Sequence, residues 1–166
     1  MCNRHNIKQR FTEPYSPWQN PAELEGGIIK RKMRRMMKLT LTPIRLWDYA
    51  WEYVSQIRAL TAMQHIYLDG VTPYEKVCGH TPNISEYIIF TWYQWVWYYS
   101  TVSTHKFEIG RWLGPATNIG QGMAYYVLSN EGKVIVRSTV TSVSLDEMNS
   151  ESVNILMKDF DNRIDE

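Results

Sequence analysis

The residues best placed to do chemistry sit at the start of one helix. Asn20 is a good N-cap, Pro21 takes the first helical position, where its missing N–H is harmless, and Glu23 falls at the third. A carboxylate in the first helical turn is held rigidly and can ligate Mg²⁺, which takes a few carboxylates plus phosphate oxygens. The plainer reading is a cap that favours the helix dipole. On a 100° wheel Glu23, Lys30, Arg34 and Lys38 form one stripe, beside an apolar stripe of Ala22, Ile29, Met33, Met36 and Met37. A cationic stripe of this kind suits an anionic partner. No acid occurs between Glu25 and Asp48, so Lys30, Arg31, Lys32, Arg34, Arg35 and Lys38 lack the i,i+4 partners that a merely solvated face carries. Gly26 and Gly27 each cost about 1 kcal/mol relative to Ala in a helix interior. That weakness has a use if something approaches the backbone there.

Two other groups invite chemistry. Cys78-Gly79-His80 suggests zinc, but a structural site needs four ligands in paired spacing, and Cys2, His5, His65 and His105 do not supply it. Trp92, Trp95, Trp97, Tyr98 and Tyr99 could stack on unpaired bases, although aromatic residues alternating along a strand favour a barrel core.

The elements that position these residues follow from period and breakers. Ile7–Thr12 reads as a strand, Pro14 to Pro17 as a loop, and the helix from Pro21 carries the basic stripe. A second helix is expected after Thr42-Pro43, running to about His65, with Leu46, Tyr49, Ala50, Tyr53, Ile57 and Leu60 inward and Asp48, Glu52, Ser55 and Arg58 outward. Asp69-Gly70 breaks it, and Thr72-Pro73-Tyr74-Glu75 opens a short helix ending near Gly79. From Ile84 the period changes: 87–99, then about 109–114, 123–129 and 133–143, read as strands. Short antiparallel strands over so few residues predict a small barrel.

The 166 residues are 44% hydrophobic and 21% charged, the composition of a globular chain. No apolar run approaches a membrane span, the first residues carry no secretory pattern, and two cysteines make no disulfide framework. An intracellular protein, nuclear or cytoplasmic, not secreted and without a membrane partner, is expected. The formal net charge of +1 conceals a gradient. Residues 1–45 carry ten Lys/Arg against three Asp/Glu, residues 46–145 six against seven, and residues 146–166 two against seven. A basic front calls for an anionic partner. The acidic tail holds Val153, Leu156, Met157 and Phe160 at helical spacing, enough for a marginal helix.

Glu13-Pro14-Tyr15-Ser16-Pro17-Trp18-Gln19-Asn20-Pro21-Ala22-Glu23 resembles the third catalytic block of retroelement integrases. Leu68-Asp69-Gly70-Val71-Thr72-Pro73-Tyr74-Glu75 is similar to the element that follows the core in copia-type LTR-retrotransposon polyproteins. Gly110-Arg111-Trp112-Leu113-Gly114 and Val134-Ile135-Val136-Arg137-Ser138-Thr139-Val140 are similar to two of their later strands. The ordered likeness covers roughly residues 5–145. It implies an RNase H-like core in which two Asp and one Glu hold two Mg²⁺ or Mn²⁺ ions for strand transfer. Glu23 maps onto that glutamate as catalytic and metal-ligating residue, with Gln19 and Asn20 in its motif. The sequence departs in having two residues, not three, between Asn20 and Glu23. Both family aspartates lie upstream of this block, so the chain is expected to be catalytically incomplete and to hold no stable metal by itself.

The expected fold is therefore α+β: a helical C-terminal remnant of an RNase H-like integrase core over 1–83, a small antiparallel SH3-like β-barrel over 84–145, and an acidic tail over 146–166. Residues 84–145 are expected to fold without the first part. The expected function is that of an integrase fragment in DNA integration that keeps sequence-independent binding to DNA phosphates through Lys30, Arg31, Arg34 and Lys38. The rest of the polyprotein, or a second copy, is a further expected partner. The alternatives are a protein-interaction module and a decayed fragment without function.

Overall fold

The computed structural model describes residues 13, 20–64, 68, 70–100, 107–119 and 123–164. The strand expected at Ile7–Thr12, together with Gln19, lies outside them. The first helix, α1 (Pro21–Thr40), starts where the capping chemistry puts it: the Asn20 side chain accepts from the Glu23 backbone N–H at 3.3 Å. It ends at Leu41, which takes a left-handed φ of 55° and returns its N–H to the Met37 carbonyl. Met33 and Met37 are buried, and Ile29 and Met36 pack against the same core. Ala22, expected on that stripe, is exposed in the first turn.

A 3-10 turn, Ile44–Leu46, leads into α2 (Trp47–Leu60), which buries Ala50 and Val54 and packs along α1. This helix stops short of the expected His65 because Thr61 is already extended. Arg58 does not face solvent as expected. It donates through Nε and Nη2 to both carboxylate oxygens of Glu25, the second bond at 2.7 Å, and so ties α2 to the first turns of α1. Two short helices follow, α3 (Pro73–Cys78), capped by the Thr72 hydroxyl, and α4 (Ser85–Ile88).

Five strands, β1 (Trp95–Tyr99), β2 (Phe107–Pro115), β3 (Tyr125–Leu128), β4 (Val134–Arg137) and β5 (Val140–Ser142), form one antiparallel sheet in the order β4-β3-β2-β1-β5. The chain is thus α+β, but the sheet does not close into the expected barrel. β4 and β5 are its two edges, and only Ser138 and Thr139 separate them in sequence. The chain must swing from one edge to the other in two residues, which splits the strand expected over 133–143 at that corner. There the Tyr99 N–H donates to the Thr139 carbonyl at 3.2 Å and Arg137 Nε donates to the Tyr99 carbonyl at 2.9 Å. These contacts tie the corner to the end of β1, and among the described residues no ladder joins β4 to β5. The strand expected over 87–99 is also shorter: 85–88 is α4, and Thr91 to Gln94 is a turn in which the Thr91 N–H donates to Gln94 Oε1 at 2.9 Å.

Both faces of the sheet are covered. Val96, Tyr98, Trp112, Tyr125 and Val127 gather on one face with Phe90. Trp95, Trp97, Ile109, Leu113 and Leu128 belong to the other cluster, with Met33, Met37, Leu46, Ala50 and Val54 of the helical part. Of the five central aromatic residues, Trp92 and Tyr98 are buried, Trp95 and Trp97 half-buried, and Tyr99 exposed. The buried Trp92 Nε1 donates to Thr42 Oγ1 at 3.0 Å, a polar tie from the sheet's entrance to the end of α1.

The acidic tail is part of the same core. After α5 (Leu145–Met148), closed by a reciprocal Ser144–Glu147 capping box, α6 (Glu151–Ile164) buries Val153, Phe160 and Ile164. One apolar cluster therefore draws on residues before 83, between 84 and 145, and after 146. Among the described residues no helix is long and apolar enough to cross a membrane.

Candidate nucleic-acid interface

Helix α1 sorts its residues by face. Met33 and Met37 point into the core, while Lys30, Arg31, Lys32, Arg34, Arg35 and Lys38 are all exposed. None of the three ion pairs found among the described residues includes any of these six. Their charges are left to solvent and to whatever anion approaches.

Three of them do more than face solvent. Lys30, Arg34 and Lys38, at i, i+4 and i+8, form one wall of a cleft of about 820 Å³, with Met33 and Met37 beneath them. Arg31 and Arg35, by contrast, do not line it. The lining also includes Tyr93 and Arg111, Asp161 and Ile164 from α6, and Leu41, Ile44 and Trp47 where α1 gives way to α2. The cleft thus depends on three segments far apart in sequence.

Arg111 is held by that packing. Its guanidinium carbon lies 3.4 Å from the centroid of the Trp95 ring and 4.6 Å from that of Tyr93, a cation–π contact with each. Nη1 donates to the Tyr93 carbonyl and Nη2 to Asp161 Oδ1, each at 3.2 Å. Burial pushes its pKa down, and the neighbouring Asp161 carboxylate partly opposes that. The only acid lining the cleft is therefore engaged by a cation beneath it, which leaves the α1 wall positive.

At the head of α1, Glu23 is exposed, and its described contact is the capping bond of its backbone N–H. Glu25 turns the other way onto Arg58, whose pKa it raises by accepting its hydrogen bonds. Among the described residues no three His, Cys, Asp or Glu side chains gather closely enough to hold a metal ion. Among the described residues the donor set around Glu23 does not fit a two-ion site. At the other candidate, Cys78 is exposed with a free thiol, and His80 Nδ1 lies 3.1 Å from the Cys78 carbonyl oxygen.

The residues missed in the sequence are Trp47, Tyr93, Arg111 and Asp161. Trp47 left a signal, since it lies off the apolar stripe of α2. The others are brought to the cleft only by packing. Family models, curated proteins and solved structures compared with the chain give no match.

Proposed function

We propose that this chain is the C-terminal part of a copia-type integrase, with an RNase H-like remnant and an SH3-like module, and that it binds the DNA backbone through α1. The observation that carries the binding is the row of exposed, unpaired cations on one rigid helix, three of them lining a cleft. A helix whose exposed charges from Lys30 to Lys38 are all basic attracts polyanions by charge alone, without reading sequence. The strand order supports a small β-module: β1 to β4 form a meander and β5 crosses to pair with β1, in a sheet that stays open. Glu23 heads the same helix as the residue that maps onto the family's glutamate.

The test is binding of a labelled short duplex, followed by anisotropy, with Lys30, Arg34 and Lys38 replaced together by Glu. Loss of binding in the triple variant supports the proposal. Unchanged affinity refutes it. A second reading, a protein-interaction module, is favoured by the exposed Val77, Ile84, Ile88 and Ile89 on and around α3 and α4. A protein partner held by that patch would bind with little dependence on salt.

A further inference from the structure

Phosphate binding does not explain Trp47, the exposed aromatic side chain in the cleft lining. It stands at the first position of α2 with 54% of its surface exposed. Among the described residues its ring makes none of the aromatic or cation–π contacts that engage Trp92, Trp95 and Trp112. Leu41 and Ile44, which share the cleft lining with it, are 86% and 80% exposed, so this part of the lining is apolar while its α1 side is cationic. Such a mouth is costly in water and suits a ligand with a flat apolar face on a charged backbone.

The dimensions select the form of that ligand. A cleft of about 820 Å³ is the size of a small-molecule site and admits one or two nucleotides, not a duplex. Lys30, Arg34 and Lys38 rise by about 6 Å per step along α1, a spacing suited to successive phosphates of one extended strand. A duplex would offer this helix its phosphates but keep its base faces stacked inside, leaving Trp47 without a partner.

We propose that the cleft is a binding site for an unpaired segment of DNA, with a base stacked on Trp47 and the adjoining phosphates on Lys30, Arg34 and Lys38. This rests on the reading of α1 as a DNA-binding helix, and it adds to it a preference for single strands. Base–aromatic stacking does not read sequence, so the preference is for strand form alone. Tyr93 and Arg111 complete the lining, and Arg111 Nη2 donates to Asp161 of α6, which lines it as well.

The experiment measures the affinity of the whole chain for a labelled oligo-dT long enough to span Lys30 to Lys38, and for a duplex of equal length. Trp47→Ala and Trp47→Leu should weaken oligo-dT binding on the order of 5- to 150-fold, the loss of one stacked base, while duplex affinity stays within about twofold. Trp47→Phe keeps a π-face and should retain most of the single-strand affinity, which separates lost stacking from lost packing. If oligo-dT affinity is unchanged in all three variants while Lys30→Glu/Arg34→Glu/Lys38→Glu still abolishes duplex binding, the stacking site is overturned and the DNA-binding reading stands. If neither DNA form binds the unmodified chain, both fall.

Discussion

Replacing Phe160 by Ala tests whether the acidic tail is structural. Phe160 is 1% exposed, and its ring meets that of Trp95 edge-on with centroids 5.1 Å apart. It sits in the cluster that joins α1 and α2 to the sheet face carrying Trp95, Ile109 and Leu113. Truncating a fully buried Phe removes its transfer free energy and leaves a cavity, together about 3–5 kcal/mol. Native domains hold only about 5–15 kcal/mol in all. For a chain of this length each kcal/mol moves Tm by about 2–4 °C, so a fall of roughly 6–20 °C is expected in thermal melts followed by circular dichroism. Tryptophan fluorescence should report the same shifted transition, because Trp95 and Trp92 lie in the same cluster. Leu156→Ala, on the same helix but 45% exposed, is the control and should change stability by no more than about 0.5 kcal/mol. A Phe160→Ala shift no larger than that of Leu156→Ala would refute a core that includes α6.

The same continuity bears on separability: a fragment of residues 84–145 leaves Trp95, Trp97 and Ile109 without the helices that cover them, and should show no cooperative melt. Gly110 and Gly27 should respond in opposite directions to Ala. A Cβ at Gly110 would lie 2.6 Å from the Leu128 carbonyl oxygen and 2.8 Å from Val127 Cγ1, so Gly110→Ala should destabilise by about 1–3 kcal/mol in denaturant titration. Nothing lies within 4 Å of a Cβ at Gly27, so Gly27→Ala should stabilise by up to about 1 kcal/mol. The pH response of the α5 cap has a definite sign. Hydrogen bonds from the Ser144 backbone N–H and hydroxyl hold the Glu147 carboxyl below its ordinary value. Its contribution is present above the unfolded carboxylate pKa, about 4.3, and is lost as pH falls through the lower folded value. The protection factor of the Ser144 amide, whose N–H donates to Glu147 Oε2, should fall across that acid window once the intrinsic pH dependence of exchange is divided out, and Glu147→Gln should remove that fall.

What could be read from the sequence is what local chemistry decides. Asn20-Pro21 and Glu23 fix the start of α1, and the Met33–Met37 spacing fixes its inner face. The Asn130-Glu131-Gly132 turn places β3 and β4, with Gly132 at a φ of 75°. What could not be read belongs to packing. Phe90 and Trp92 have strand composition but occupy the turn before β1, where burial, not strand pairing, holds them. Arg58 sits at a polar wheel position and is turned inward by Glu25, 33 residues away. The split at Ser138-Thr139 carries no Gly or Pro to announce it. At the site, the cations of α1 were legible as a run without acids, whereas the wall they face comes from β2 and α6 and has no local signature.

The most direct measurement is the salt dependence of duplex binding, for the unmodified chain and for Lys30→Ala, Arg34→Ala and Lys38→Ala one at a time. Each phosphate contact adds about 0.9 to the slope of log K against log salt. The unmodified chain should lose affinity steeply as salt rises, and each substitution should lower the slope by about that amount. Slopes that are flat in the unmodified chain, or identical in all four proteins, would contradict a DNA interface on α1.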